Sequence, residues 1–558
     1  MGREKDITRQ VVNLLKVILI IIMLLSGIVE ANYTEKGFAN WQLQQKEWIK
    51  TETSLSWPNI SWAEARLGNE EWVDYEINLT LEPKTYGENG EIRLYFRQTS
   101  PFYTYSLNIT ETYISISRFD GDPTKSRELN KVDLGVKAGS KVKLVLRVFE
   151  SEFSVFIDDK LVLEAESVKY KNGGISLWAE NTSFSTCDFS IKGTLDDKYV
   201  KNTHYFPKED PQSGGLKDLM LIYNNIGSVW TMIDALPYVS YIGPFDGSTI
   251  EVKDWFFDSF LFLALVGPGG HAFDAPSRGT PAKKAEWQWF IDTLFEEKRQ
   301  LNGFERAFSF VAEQLGTQNK GKIYIMIPNP MVEITNFGDV DGTGSLNFSW
   351  QNAKKATDQR FRAVKWYVDQ VLERFKAAEF VNLELVGFYW VEEAVHYSNP
   401  GEVELIKQVA DYLHEKGQKF SWIPWFNASG NKEWESLGFD VCIHQPNHMF
   451  NQQSTVSRFV DVSQRAQKYN QGIEIEADGR ILYNNEYRER FLNYLRAGVT
   501  LGYMKEAVHG YYQDVSLFAT CALSSMPKDR EIYDLVYKFV KEEFDEPLGA
   551  LEKDFLKY

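Results

Sequence analysis

The sequence predicts two folded domains of different class: an all-β, jelly-roll-like sandwich followed by an α/β barrel of the (β/α)8 TIM type. Two observations predict this. Between about Trp41 and Leu195, apolar and polar residues alternate with a period of two, broken by Gly, Pro, Asn and Asp clusters, and no helical stretch intervenes. Beyond Gly215, eight short apolar runs alternate with long amphipathic stretches, as parallel strands with crossover helices do. With 558 residues, 43% of them hydrophobic and 25% charged, the chain can fill both cores.

Composition also excludes partners. Lys+Arg 61 against Asp+Glu 78 gives a net charge of -17, the wrong sign for a protein that wraps nucleic acid. Three scattered cysteines, Cys187, Cys442 and Cys521, are too few for a disulfide framework or a Cys-rich metal site. At the N-terminus Arg3, Lys5, Arg9 and Lys16 precede an apolar run from Val17 to Val29, and Ala31 closes a cleavage site. Residues 1–31 therefore read as a secretory signal for a secreted or cell-surface protein. Left uncleaved, the segment would anchor the protein to a membrane. Seven Asn-x-Ser/Thr acceptors, at Asn32, Asn59, Asn78, Asn108, Asn181, Asn347 and Asn427, suit an exported chain.

Residues 32–195 form the sandwich. Its strands are expected at Tyr75 to Leu81, Ile92 to Phe96, Tyr103 to Ile109, Val142 to Phe149 and Ser154 to Leu163. The last run is folded on itself by the turn Asp158-Asp159. With the following Gly173-Gly174-Ile175-Ser176-Leu177-Trp178, this hairpin resembles the concanavalin-like or laminin-G-like sandwich. That resemblance implies a lectin-like module. Residues 196–215 lose periodicity and read as a linker.

The barrel is expected over 216–545, with a tail at 546–558. Its strands are placed at Leu219 to Tyr223, Ser259 to Val266, Ile323 to Ile327, Leu383 to Tyr389, Phe420 to Trp425, Val441 to His444, Ile473 to Glu476 and Leu501 to Met504. Active sites of such barrels lie at the carboxyl ends of the strands, so the residues just past each run are the candidates. On the seventh strand Ile473, Ile475 and Ala477 alternate with Glu474, Glu476 and Asp478. The apolar set turns toward the helices, which leaves the acids facing the barrel axis. A salt-bridge network with Arg480 or Lys505 is the structural alternative.

The fourth strand ends in Glu392-Glu393, of which one faces the cavity. Its alternation is ambiguous, and Glu393 is preferred over Glu392. Opposed carboxylates on strands four and seven are what glycosidic cleavage needs: one protonated to release the leaving oxygen, one ionised to attack or to stabilise an oxocarbenium-like centre. These residues resemble the retaining barrel glycosidases, which implies Glu393 as acid/base and Glu476 as nucleophile, although Glu392 stands where that family carries Asn. Asp218 to Tyr223, Pro237-Tyr238-Val239, Phe257 to Phe262, Gly387 to Trp390, Gly502-Tyr503 and Tyr511-Tyr512-Gln513 are similar to a family of secreted barrel proteins catalogued as a domain of unknown function.

Around the two acids, Asn225, His271, Trp390, Glu392, Trp425, Asn427, Gln445, Asn447 and Asp478 are expected to bind substrate, with Trp390 and Trp425 as platforms for sugar rings. His271, His444, His448 and His509 fall at strand ends, but no pair has the spacing of helical metal ligands, so neither metal nor cofactor is expected. The reading is an exported glycoside hydrolase acting on a polysaccharide or glycoconjugate. Its rivals are a glycan-binding protein with a silent barrel and a metal-dependent hydrolase.

Overall fold

A computed structural model describes residues 33–549 except 69–70, 101, 122–124, 197–203, 246, 248 and 350–352. The expected signal segment, Asn32 and residues 550–558 of the expected tail lie outside the described residues. The chain falls into two compact units. The first runs to Asp120 and resumes at Lys125; the second holds Gly121 and the described residues from His204 on. Among the described residues no helix is long and apolar enough to cross a membrane.

Two long strands organise the first unit, an antiparallel β-sandwich. Trp72–Ser100 pairs with Gly174–Leu195 in a ladder interrupted by register shifts, and such bulges bend strands and let one strand serve two layers. The early part of Trp72–Ser100 pairs with Val142–Phe149, and the later part with Tyr103–Ile109. Alternation puts Leu79, Leu94, Leu107, Leu146, Phe153 and Leu177 into the core, each at most 2% exposed. The Asp158-Asp159 turn joins Glu152–Ile157 to Lys160–Glu166, with φ of 48° and 65° at its two residues. Positive φ at both central positions is the hairpin turn whose twist matches the strands, and aspartate tolerates it.

The second unit is a closed eight-stranded parallel barrel. Its strands are β1 (Asp218–Tyr223), β2 (Ser259–Leu263), β3 (Gly321–Ile327), β4 (Leu383–Trp390), β5 (Lys419–Trp422), β6 (Val441–His444), β7 (Gly472–Glu476) and β8 (His509–Tyr512). Helices that matter below are α1 (Lys284–Leu294), α2 (Ser457–Lys468) and α3 (Asn485–Leu501).

Tyr205 and Phe206, late in the stretch expected as a linker, are buried in the second unit, and Phe206 exchanges backbone hydrogen bonds with Gln471 and Val508. The interval between β5 and β6 holds two 3-10 turns, Asn431–Glu433 and Glu435–Leu437. The eighth strand is not Leu501 to Met504. That run is the end of α3, the cap Gly502 at φ 86° and a short helix, Tyr503–Glu506. A left-handed glycine ends a helix well, and the apolar residues either side of it imitate a strand. The true strand, His-Gly-Tyr-Tyr, is too polar to stand out.

The ambiguous phase of β4 has a cause as well. The ladder slips between Ile323↔Leu385 and Tyr324↔Gly387, so a bulge at Val386 reverses which face later residues take. Gly387 sits where any Cβ would meet the Lys419 carbonyl oxygen at 2.3 Å, so only glycine lets β5 approach there.

Candidate active site

The register decides which β7 side chains turn inward. Glu474 pairs with Gly510 and Glu476 with Tyr512, and a Cβ placed on Gly510 would lie 3.4 Å from Ile443, 3.7 Å from Glu474 Cγ and 3.8 Å from Ile423. Glu474 therefore projects into the interior among residues of β5 and β6, while Ile473 and Ile475 are fully buried toward the helices. The two acids meet different surroundings. Glu476 has no exposed surface, and both of its oxygens are occupied: Oε1 accepts from the backbone and side-chain N–H groups of Asn447 at 3.1 and 3.2 Å, and Oε2 accepts from the Tyr494 hydroxyl of α3. Glu474, 3% exposed, has no hydrogen-bond partner among the described residues.

Burial drives the chemistry of both. Withdrawal from water, with Glu476 and Glu393 as like charges, holds Glu474 well above the usual carboxylate range. Burial also pushes Glu476 up to about 7, while Tyr494 and the N–H groups of the 447–449 loop pull back toward ionisation. Three neighbouring carboxyls resist ionising together, and Glu476, with its donors, is the more acidic of the β7 pair.

Above them lies an open cleft of about 340 Å³ lined by Asp274, Ala275, Ser277, Arg278, Val391, Glu392, Glu393 and Trp425. Glu393 presents an exposed side chain to this cleft. Crowding by protein pushes its pKa up to about 7; Gln445 counters by hydrogen bonding, and Glu392 and Asp274 add to the rise. Gln445 Oε1 accepts from the Asn447 amide at 2.9 Å, and the same amide reaches Glu476, so Gln445, Asn447 and Glu476 form one hydrogen-bonded chain. Glu392, 7% exposed, accepts from Asn329 at 2.9 Å and lies 3.3 Å from His396 Nε2. Its hydrogen bond and charge raise the His396 pKa. Trp425 is 38% exposed and lines the cleft wall.

Other predicted positions do different work. Trp390 is 1% exposed and packs edge-on against Phe420, so the expected platform is a core residue, placed outward by the β4 bulge. Asn225 Oδ1 accepts the backbone N–H groups of Leu265 and Val266 at 2.8 and 3.1 Å and ties two loops together. Asn427 is buried against Arg465. Asp478 caps the turn Gly479–Leu482 and pairs with Arg480, the salt bridge that was the structural alternative. His271 lies 3.0 Å from Glu286 of α1. His509 is at the start of β8, the opposite end of the barrel from the cleft, with Nδ1 3.1 Å from Asp218. Cys442 and Cys521 are buried and free, and Cys187 is half-buried. Among the described residues no group of His, Cys, Asp or Glu side chains is arranged to hold a metal ion.

Asp274 and Arg278, paired at 2.7 Å, were not foreseen as site residues, because they lie in a long loop with no periodic signal. Glu474 was legible as an inward acid, but sequence gives no means of seeing that it lacks partners.

No curated protein matches the chain. Among solved structures, the carbohydrate-binding module CBM66 from Bacillus subtilis matches at 14% identity and a TM-score of 0.25, covering 28% of this chain and 96% of that one. A Bacillus subtilis protein of unknown function with a galectin-like fold matches at 9% identity and a TM-score of 0.25, covering 30% and 96%. Overlaps so low carry no functional inference. The family match begins at the first residue of β1 and ends within the last helix, Pro527–Val540, so it takes in every barrel strand. Through residues 218–538 the chain belongs to the family described as a domain of unknown function (DUF4855).

Proposed function

We propose that the barrel is a glycoside hydrolase that works outside the cell on a neutral polysaccharide or glycoconjugate, with Glu393 as the general acid. The observation that carries this reading is the Glu393 carboxyl: open to the cleft, pushed up to about 7, and within the electrostatic reach of the ionisable Glu476. A carboxyl still protonated near neutral pH can donate to a departing glycosidic oxygen, while an ionised partner stabilises the positive charge growing at the anomeric carbon. Trp425 offers a stacking face beside them. In the first unit, Trp62 is 40% exposed and stacked on Trp178 at 5.4 Å, a second aromatic face suited to holding glycan.

A retaining course requires Glu476 Oε1 to exchange the Asn447 donors for the anomeric carbon. Its complete burial favours a second reading, a glycan-binding protein whose barrel does not cut. The test is release of reducing ends from a panel of neutral polysaccharides, with the anomer of the first product followed by NMR. Release that disappears in Glu393→Gln supports the hydrolase; binding without release in the wild-type chain supports the second reading.

A further inference from the structure

Below the cleft four polar groups meet. Tyr223 ends β1, Tyr512 ends β8, Tyr389 lies near the end of β4, and Glu474 stands on β7. Tyr223 and Tyr512 are edge to face with centroids 5.8 Å apart. Tyr389 and Tyr223 both feel the charges of Glu474 and Glu393, and Tyr512 feels Glu474 and Glu476, so the four polar ends share one neighbourhood. Among the described residues, none of the three hydroxyls and neither oxygen of Glu474 has a hydrogen-bond partner. Tyr223, Tyr389 and Glu474 are 7%, 3% and 3% exposed. Three of these residues are buried and Tyr512 is half-buried, yet none of their polar ends is sealed off without a partner, so buried side chains present hydroxyls and a carboxyl to accessible space, which is how a recognition site for hydroxyl groups is built.

We propose that Tyr223, Tyr389, Tyr512 and Glu474 form the subsite that holds one neutral sugar ring, and that acidic sugars are excluded from it. The inference rests on the hydrolase reading only in making this the ring whose bond is cut. The phenols, kept protonated by burial, can each donate to or accept from a ring hydroxyl. The charge pattern sets the class of sugar. Glu393 and Glu474 face the space with Glu476 buried beside them, and the groups acting on Glu474 are carboxylates alone. Arg278, the cation that acts on Tyr223 and Glu393, gives its Nε to both oxygens of Asp274, at 2.9 and 2.7 Å. A uronate would bring a further negative charge to carboxyls that already repel one another, which is discrimination by repulsion.

The experiment is calorimetric titration of the full chain, in a Glu393→Gln background so that ligand is not consumed. The probes are cello-, xylo-, manno- and malto-oligosaccharides, with oligogalacturonate as the acidic counterpart. At least one neutral series is expected to bind, and Tyr389→Phe, Tyr223→Phe and Glu474→Gln are each expected to weaken it about three- to tenfold, the loss of one hydrogen bond. The Phe variants keep their rings, and an unchanged near-ultraviolet circular dichroism spectrum shows that the fold survives. Neutral binding unchanged by all three substitutions overturns the subsite, as does oligogalacturonate binding that weakens with them, or no binding of any neutral series. Binding through these residues without release of reducing ends by the wild-type chain leaves the subsite and removes the hydrolase. Release that is unaltered in the tyrosine variants does the reverse.

Discussion

Asn447 directs both its backbone N–H and its side-chain amide at the same oxygen, Oε1 of Glu476, from 3.1 and 3.2 Å. The residue holds φ at 50°, a left-handed conformation that asparagine tolerates and β-branched residues do not. Its Oδ1 also accepts the Phe426 backbone N–H at 2.7 Å, so the loops after β5 and β6 both depend on it. Donors of this kind favour the ionised carboxylate. Asn447→Gly keeps the backbone conformation and the main-chain donor but removes the amide. The Glu476 pKa then rises further, less of it is ionised at a given pH, and the acidic limb of the activity profile moves to higher pH. A limb that stays in place would show that Glu476 is not the group titrating there.

Glu393 governs the other limb. With a pKa pushed up to about 7, it holds its proton below that value, and activity that depends on its donation declines above it. Glu393→Gln should lower turnover of an unactivated glycan by about 10²–10⁴-fold. The same variant should recover most of its rate on aryl glycosides whose leaving phenolate needs no proton. Equal losses on both kinds of substrate would remove Glu393 from the acid role.

The acids on β7 were readable in sequence because strict alternation leaves no other direction for Glu474 and Glu476 in a closed barrel. The β4 acid was harder: a one-residue bulge at Val386 shifts the phase, and bulges have no periodic signature. The same shift placed Trp390 in the core, where sequence had set a sugar platform. His509 was misplaced because the end of α3 and the residues around Gly502 mimic an apolar strand. Partners from long loops, Asp274 and Arg278, and the division of labour between Glu474 and Glu476 follow from tertiary contacts that local pattern does not encode.

The buried acids also make stability depend on pH. Folding raises the pKa of Glu474 and Glu476 above the value of 4.5 for a free side chain, so the folded chain binds more protons than the unfolded one between these limits. Their contribution is whole below pH about 4.5 and is lost as pH climbs, for Glu476 through about 7 and for Glu474 with the same sign. Glu474→Gln, which mimics the protonated side chain, removes part of this penalty. Its melting temperature should match wild type near pH 5 and exceed it at alkaline pH, the gap widening as pH rises. A gap that does not change with pH would mean that Glu474 is ionised in the folded protein.

Barrel closure gives a prediction that separates folding from chemistry. Asp218 opens β1 and is buried beside β8, where its Oδ1 accepts from the Tyr511 hydroxyl at 2.7 Å and lies 3.1 Å from His509 Nδ1. These strands are the seam of the barrel, since β1 and β8 pair across residues Asp218↔His509, Leu219↔Gly510 and Met220↔Tyr511. Asp218→Ala strands two buried donors, each costing about 1–3 kcal/mol. The transition in chemical denaturation should therefore move to markedly lower denaturant. Asp218 stands at the end of the barrel away from the cleft, so kcat of the molecules that remain folded should stay within about twofold of wild type, well under the tenfold that 1.4 kcal/mol in the barrier would produce. A collapse of kcat with little loss of stability would place chemistry at the wrong end of the barrel and would contradict the assignment of the Glu393 cleft.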